Sequence, residues 1–246
     1  MTKKEMRLLI LLGVSFILAN LVLRLLLRPL PENIGYLIKT LGLMCLYYFL
    51  VQRRLGLKIK STKKIRWSET LGVCWFLLLA DFFYVSAVAL GISKAPHMIG
   101  TALVIALGAG FFEEYFFRGL FLKLAFQDGI RSSKQVLGVV LLSALSFGLA
   151  HLVNLTHQPL NATLFQVYYA TAIGIFFAAI YLRTGSLWWT IILHCLVDFA
   201  SVLLSQSTQA APATSIWNFI FWLPLIALGL FLIRPKKLKA IRYLND

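Results

Sequence analysis

The sequence predicts an all-α fold, a polytopic transmembrane bundle of about eight helices, on three observations. Hydrophobic residues fill 60% of the 246 positions and charged ones 13%, with a mean hydropathy of +0.82, outside the balance of a soluble domain. The apolar residues come in runs close to the roughly 20 that a helix needs to cross about 30 Å of hydrocarbon. The runs do not alternate polar with apolar residues, as the strands of a membrane barrel would.

In chain order the expected spans are 8–27, 33–52, 69–92, 98–124, 136–154, 164–183, 186–205 and 215–233. The first follows "MTKKEMR", but its apolar stretch exceeds the core of a signal peptide and no clear small-residue cleavage site follows, so it reads as a retained helix. The second and third are separated by the basic cluster "RRLGLKIKSTKKIR". The fourth is longer than a bilayer requires and is expected to tilt or protrude. The fifth, sixth and seventh follow with short polar breaks, and the eighth precedes the basic tail "RPKKLKAIR". Glycine and proline in these runs are compatible with helices, because neighbouring helices satisfy the freed backbone groups. With no repeat and no long linker, residues 1–246 read as one membrane-embedded domain.

The net charge of +15 raises a nucleic-acid reading, but the positions of the 24 Lys and Arg argue otherwise. Most lie at the termini or in alternate connections: Lys3, Lys4 and Arg7; the 53–66 cluster; Lys123, Arg131 and Lys134; Arg183; and the tail. The opposite connections hold Arg28 and Lys94, with Arg24 and Lys39 near helix ends, where long side chains snorkel to the interface. This is the positive-inside pattern, and it places both termini in the cytoplasm, facing anionic lipid headgroups. A nucleic-acid partner is not expected. Cys45, Cys74 and Cys195 sit in apolar runs without metal-ligand spacing and read as small buried apolar residues.

One basic residue, Arg118, is deep in a span, in "GAGFFEEYFFRGL". Glu114 precedes it by four residues, so the two pair along one helix face with the acid on the favourable N-terminal side. Glu113 points about 100° away and needs an aqueous cavity or a polar group on another helix. An ionised side chain near mid-membrane costs about 2.5–3.5 kcal/mol on insertion scales, so all three are expected to face inward. "FGLAH" sets Phe147 and His151 four apart on the fifth span, and "HCLVD" sets His194 and Asp198 four apart on the seventh. Each feature has a bland reading: a packing ion pair, a histidine hydrogen-bonded across helices, a step in a proton path. Three together favour a site, since each added buried charge costs energy without a packing return. Asp81 reads as a helix-helix hydrogen-bonding group or the partner of a cation, Asn154 as a support for His151, and His97, His157 and Asn161 as surface residues.

The ordered motifs EExxxR (Glu113, Glu114, Arg118), FxxxH (Phe147, His151) and HxxxD (His194, Asp198) resemble those of the CAAX-processing and bacteriocin-processing superfamily of intramembrane proteases, CPBP or Abi, over residues 98–205. The resemblance implies an endopeptidase acting on membrane-bound protein or peptide substrates, in CAAX-type processing or bacteriocin immunity, and a bacterial cell membrane suits the compact chain. Its implied site is Glu113, Glu114, Arg118, His151, His194 and Asp198. Glu113 would be the general base, His151 would hold the same water, His194 would donate to the oxyanion, and Glu114 with Arg118 would orient and neutralise the site. Many members have Asn where this chain has Asp198, and an ionised Asp only accepts hydrogen bonds. Asp198 is therefore expected to be protonated, to orient His194, or to help hold a metal.

Glu113, His151 and His194 are also a donor set for catalytic zinc or another divalent metal, although HExxH is absent; the preferred reading requires no cofactor. Two other classes stay open on the residues alone. One is a non-catalytic membrane protein that binds a peptide toxin and confers immunity, and the other is a proton-coupled transporter.

Overall fold

The computed structural model describes residues 3–57, 59 and 67–240 and is all-α. Helix α1 covers Lys3–Leu26, and α2 covers Glu32–Tyr47, extended by a π-helical turn, Tyr48–Arg53. Pro31 adopts an extended conformation before α2, and Glu32 places a carboxylate in its positive first turn. Helix α3 is Trp67–Lys94. A 3₁₀ turn, Pro96–Met98, opens α4, Ile99–Glu114, which continues through a π-helical segment, Tyr115–Phe121, into α5, Leu122–Ala125. Then come α6, Ser133–Ala150, with a 3₁₀ extension His151–Thr156; α7, Leu160–Thr184; α8, Leu187–Ser205; α9, Ile216–Ile220; and α10, Leu223–Leu232. Local signals set the boundaries. Ser132 caps α6 by accepting a hydrogen bond from the Gln135 amide at 3.1 Å, and Gly185 ends α7 in the left-handed conformation at φ 67°.

Among the described residues six helices are long and apolar enough to span a bilayer: Met6–Leu26, Glu32–Arg53, Pro96–Ala125, Ser133–Thr156, Leu160–Thr184 and Leu187–Ser205. The expected span at 69–92 is helical, but many of its side chains, including those of Cys74 and Asp81, lie outside the described residues. The expected last span is shorter: Ile216–Leu232 is interrupted at Phe221 and Trp222, where Pro224 restarts the helix in the first turn of α10. The long fourth span is a single 30-residue segment whose extra length is taken up by the 3₁₀ entry and the wide π turn.

Helices α4 and α8 form one closely packed pair and α6 and α7 another, with α10 on α7, α3 on α8 and α2 on α4. A glycine sits in each of the two closest pairings. A Cβ on Gly110 of α4 would collide with Cys195 Sγ of α8, and one on Gly148 of α6 with Thr171 Oγ1 of α7. Small residues let helix backbones approach in lipid, where there is no water to drive association. Phe16, Phe112, Phe116, Phe117 and Phe121 are buried in the centre, while Leu11, Phe82, Phe83, Trp217 and Phe221 are exposed on the outside. Cys45 also faces outward and Cys195 is half-buried, so the thiols are not the uniformly buried set expected from their positions. Because the bundle's surroundings are lipid, an apolar run says that a side chain avoids water without saying which way it points.

Candidate active site

Close packing at Gly110 brings the end of α4 against the middle of α8, and the two acids that follow diverge. Glu114 is fully buried. Its Oε1 accepts from Arg118 Nη1 at 2.8 Å and lies 2.9 Å from His194 Nδ1. A carboxylate only accepts, so Nδ1 of His194 carries a proton and the ring orientation is fixed. Arg118, 1% exposed, sits with its guanidinium 4.6 Å from the Phe147 ring centroid and 5.4 Å from that of Phe177. Aromatic faces thus supply part of what water would. Arg118 occupies the π-helical segment, where Ser143 of α6 donates a 3.3 Å hydrogen bond to the Phe117 carbonyl. That bond helps satisfy backbone in the widened turn.

Glu113, about a quarter turn away, reaches a different environment. Its Oε2 lies 3.9 Å from His194 Nε2, and Asp198 Oδ2 lies 3.6 Å from the same nitrogen. His194 therefore stands between a buried carboxylate on Nδ1 and two more accessible ones facing Nε2. His151, at the junction of α6 and its 3₁₀ extension, has Nδ1 3.0 Å from the Phe147 carbonyl oxygen. A carbonyl only accepts, so Nδ1 donates and Nε2 is left as the imidazole acceptor.

Glu113, His151, His194 and Asp198 all line one cavity of about 180 Å³, walled by α1, α2, α4, α6, α7 and α8. A single water needs roughly 10–15 Å³ by this measure, so the space admits several waters or a peptide segment. The cavity is continuous in its lining with a vestibule of about 400 Å³, the two sharing Arg24, Glu32, Tyr36, Lys39, His157 and Thr208. The vestibule lies where α1 ends, α2 begins and the segments after α6 and α8 meet. Thr208 donates to Glu32 at 3.0 Å, and Gln209 Nε2 donates to the His157 carbonyl at 3.3 Å.

The structure thus brings the expected six residues together, with Glu114 and Arg118 buried behind the cavity and the other four in its wall. Among the described residues no group of three His, Cys, Asp or Glu side chains is gathered closely enough to hold a metal ion. The proposed zinc set Glu113, His151 and His194 does not meet around one point in this arrangement, and no step below is routed through a metal.

Three residues sit otherwise than their sequence positions suggest. His157 is half-buried at the cavity mouth, where a solvated loop position was expected; burial and the nearby Arg24 cation lower its imidazole to about 4. Arg24 and Lys39 line the cavity and the vestibule, where snorkelling to an interface was the expectation. Lys39 is seven residues beyond the start of α2, about 10 Å along the axis, and that depth was the available signal. Asn154, expected to support His151, lines the cavity and donates instead to Gln166 at 2.9 Å, and His97 is exposed.

No curated protein and no solved structure matches the chain significantly. Residues 95–200 match the family described as type II CAAX prenyl endopeptidase Rce1-like. That segment runs from the entry of α4 to within α8 and carries every one of the six residues gathered at the cavity. Over that segment the chain is similar to the CPBP family of intramembrane CAAX-type proteases.

Proposed function

We propose that the protein is an endopeptidase that hydrolyses a peptide bond of a membrane-associated protein or peptide with a water activated by Glu113 and His151. The observation that carries the reading is the convergence of Glu113, His151, His194 and Asp198 on one cavity inside an apolar bundle. Four ionisable groups in that setting are costly, and hydrolysis uses all of them.

Water in the cavity donates one proton to Glu113, while the His151 Nε2 lone pair takes a second hydrogen bond and fixes the water's lone pair toward the scissile carbonyl. The developing oxyanion is met by His194 Nε2–H. With Nδ1–H held by Glu114, the Nε2–H donor belongs to the imidazolium, which pairs with the carboxylates of Glu113 and Asp198 beside Nε2. Arg118 pairs with Glu114 at 2.8 Å, which gives the acid that orients His194 a fixed counter-charge. Asp198 keeps Nε2 turned toward the cavity, which answers the chemical objection that an ionised Asp cannot donate to an oxyanion. The proton taken by Glu113 is then delivered to the leaving amine, and the base is regenerated.

Lys123, Arg131, Lys134, Arg183 and Arg234 lie at the helix ends away from those that border the vestibule. By the positive-inside argument the cytoplasm is on their side, and the cavity opens to the outer face or the outer leaflet. Substrates would then be exported or surface-exposed peptides, in keeping with a bacterial role in peptide processing or immunity.

The test uses purified protein in lipid nanodiscs with a library of membrane-associated peptides, read by mass spectrometry. Wild type is expected to cleave and Glu113→Gln is expected to lose at least about 1,000-fold in rate with unchanged thermal unfolding. A Glu113→Gln protein that still confers protection against a peptide toxin would favour sequestration without catalysis. Proton-coupled flux in wild-type vesicles with no cleavage would favour a transporter.

A further inference from the structure

At the end of α6 remote from the catalytic cavity, a groove of about 410 Å³ opens on the outside of the bundle. It runs between Met6, near the start of α1, and Lys134, Gly138, Leu141, Leu142 and Leu145 of α6. Helices α1 and α6 meet further along, where a Cβ on Gly13 would stand 3.6 Å from Ser146 Oγ. The groove is therefore shut at its deep end and open beside Lys134. A Cβ on Gly138 would meet nothing within 4 Å, so this space serves no packing within the described chain, although glycine inside a helix is less favourable than alanine. From Lys134 to Leu145 the helix rises about 16 Å, against about 15 Å for half of an average hydrocarbon core. The groove thus has the depth of one leaflet, with a cation at headgroup level and aliphatic carbon below it.

The charge at the open end is positive. Lys134 is exposed and forms no hydrogen bond or ion pair with another described residue. Asp128, the one acid of the sequence between Glu114 and Asp198, lies 3.5 Å from Arg131. The start of α1, "KKEMR", brings three more cations against one acid to the same end.

We infer that this groove binds one anionic glycerophospholipid, with its phosphate on the Lys134 ammonium and an acyl chain laid along Gly138, Leu141, Leu142 and Leu145. The site goes beyond the protease reading and does not depend on it. An ammonium meets a phosphate as a point charge, and a basic bundle end concentrates anionic headgroups. A zwitterionic lipid offers the same phosphate but adds a cation at an end that already holds Arg131 and Lys134, so it is the weaker ligand. The bound lipid bridges α1 to α6. Phe16 and Asn20 of α1 share the cavity wall with Phe147 and His151 of α6, so occupancy holds the two sides of that wall together.

Purified protein in a neutral detergent is titrated with dioleoyl phosphatidylglycerol or dioleoyl phosphatidylcholine, and bound lipid is counted by native mass spectrometry. The first phosphatidylglycerol is expected to bind at least about fivefold more tightly than phosphatidylcholine, the scale of one lysine at an anionic headgroup. Lys134→Gln is expected to remove the preference and Lys134→Arg to keep it; the exposed, unpaired side chain makes both changes harmless to the fold. Gly138→Leu fills the floor without a clash and is expected to weaken both lipids at least about tenfold, the scale of two methylenes kept out of the groove. Equal affinity for the two lipids in wild type, or a preference that survives Lys134→Gln, overturns the site. Binding of both lipids unchanged by Gly138→Leu shows a headgroup adsorbed without its chain and overturns the groove.

Discussion

Replacing Glu114 by Gln keeps the size and one acceptor of the side chain but removes its charge, which reads what the buried carboxylate does for Arg118 and His194 together. In the native bundle Arg118 is 1% exposed and its bond to Glu114 is 2.8 Å long. Among the described residues Arg118 Nε and Nη2 and Glu114 Oε2 have no hydrogen-bond partner. Removing one member of a buried pair strands the other and costs about 3–5 kcal/mol. The two aromatic faces over the guanidinium persist in the variant, and contacts of that kind retain about 0.5–2 kcal/mol. The expected loss is therefore about 3 kcal/mol, roughly a hundredfold in the folding equilibrium. Arg118→Met leaves Glu114 with His194 as its one partner and is expected to cost less, about 1–3 kcal/mol. Because the pair is incompletely satisfied, the double variant is expected to be more stable than the sum of the singles by about 1–3 kcal/mol. The six tryptophans give the signal for denaturant unfolding in detergent. Additive losses, or single losses below about 1 kcal/mol, would refute the claim that the pair is a coupled, desolvated unit.

His151→Ala and His194→Ala are each expected to lower peptide cleavage at least about 100-fold with the helical signal retained, since each removes one group that contacts the water or the oxyanion. Gly110→Leu is expected to destabilise by about 1–3 kcal/mol through overpacking and to abolish cleavage by separating Glu114 from His194; Gly110→Ala should show a smaller loss, and full activity in both would show that the close approach is dispensable. Chelator-washed enzyme is expected to keep its activity, and stoichiometric zinc lost in step with activity would overturn the metal-free mechanism. On intact cells Ser207→Cys is expected to react with a membrane-impermeant maleimide and Lys123→Cys only after lysis; the reverse pattern would turn the cavity toward the cytoplasm.

The six-residue constellation was legible because ionisable side chains inside apolar runs have few tolerable locations, and their four-residue spacings fix a shared face within each helix. The division of labour between the acids was also readable in outline: adjacent residues on a helix diverge by about 100°, so only one of Glu113 and Glu114 could pair with Arg118. What the spacing left open was the partner across helices. Glu114 binds His194 as well as Arg118, a link that depends on how near Gly110 lets α8 approach. Arg24 and Lys39 were misplaced for a related reason: a cation near a helix end either reaches outward to the interface or turns inward, and only the packing of α1 and α2 around the cavity decides. The break in the last helix had a visible sign in Pro224, but a proline inside a membrane run is equally compatible with an unbroken kinked helix.

The interrupted final helix bears on the lipid around the protein. Ile216–Leu232 has 17 residues, so even fully helical it would rise only about 26 Å, less than the roughly 30 Å of an average hydrocarbon core. It packs on α7, whose inner face walls the cavity. Where the bilayer meets this short segment by local thinning, the headgroup plane is drawn inward there. An amphipathic peptide resting on the surface would then sit closer to the buried carboxylates on this side than on any flank bordered by a full-length helix. Membrane thickness, set by acyl-chain length, thereby becomes a determinant of how readily the cavity is reached from the bilayer surface.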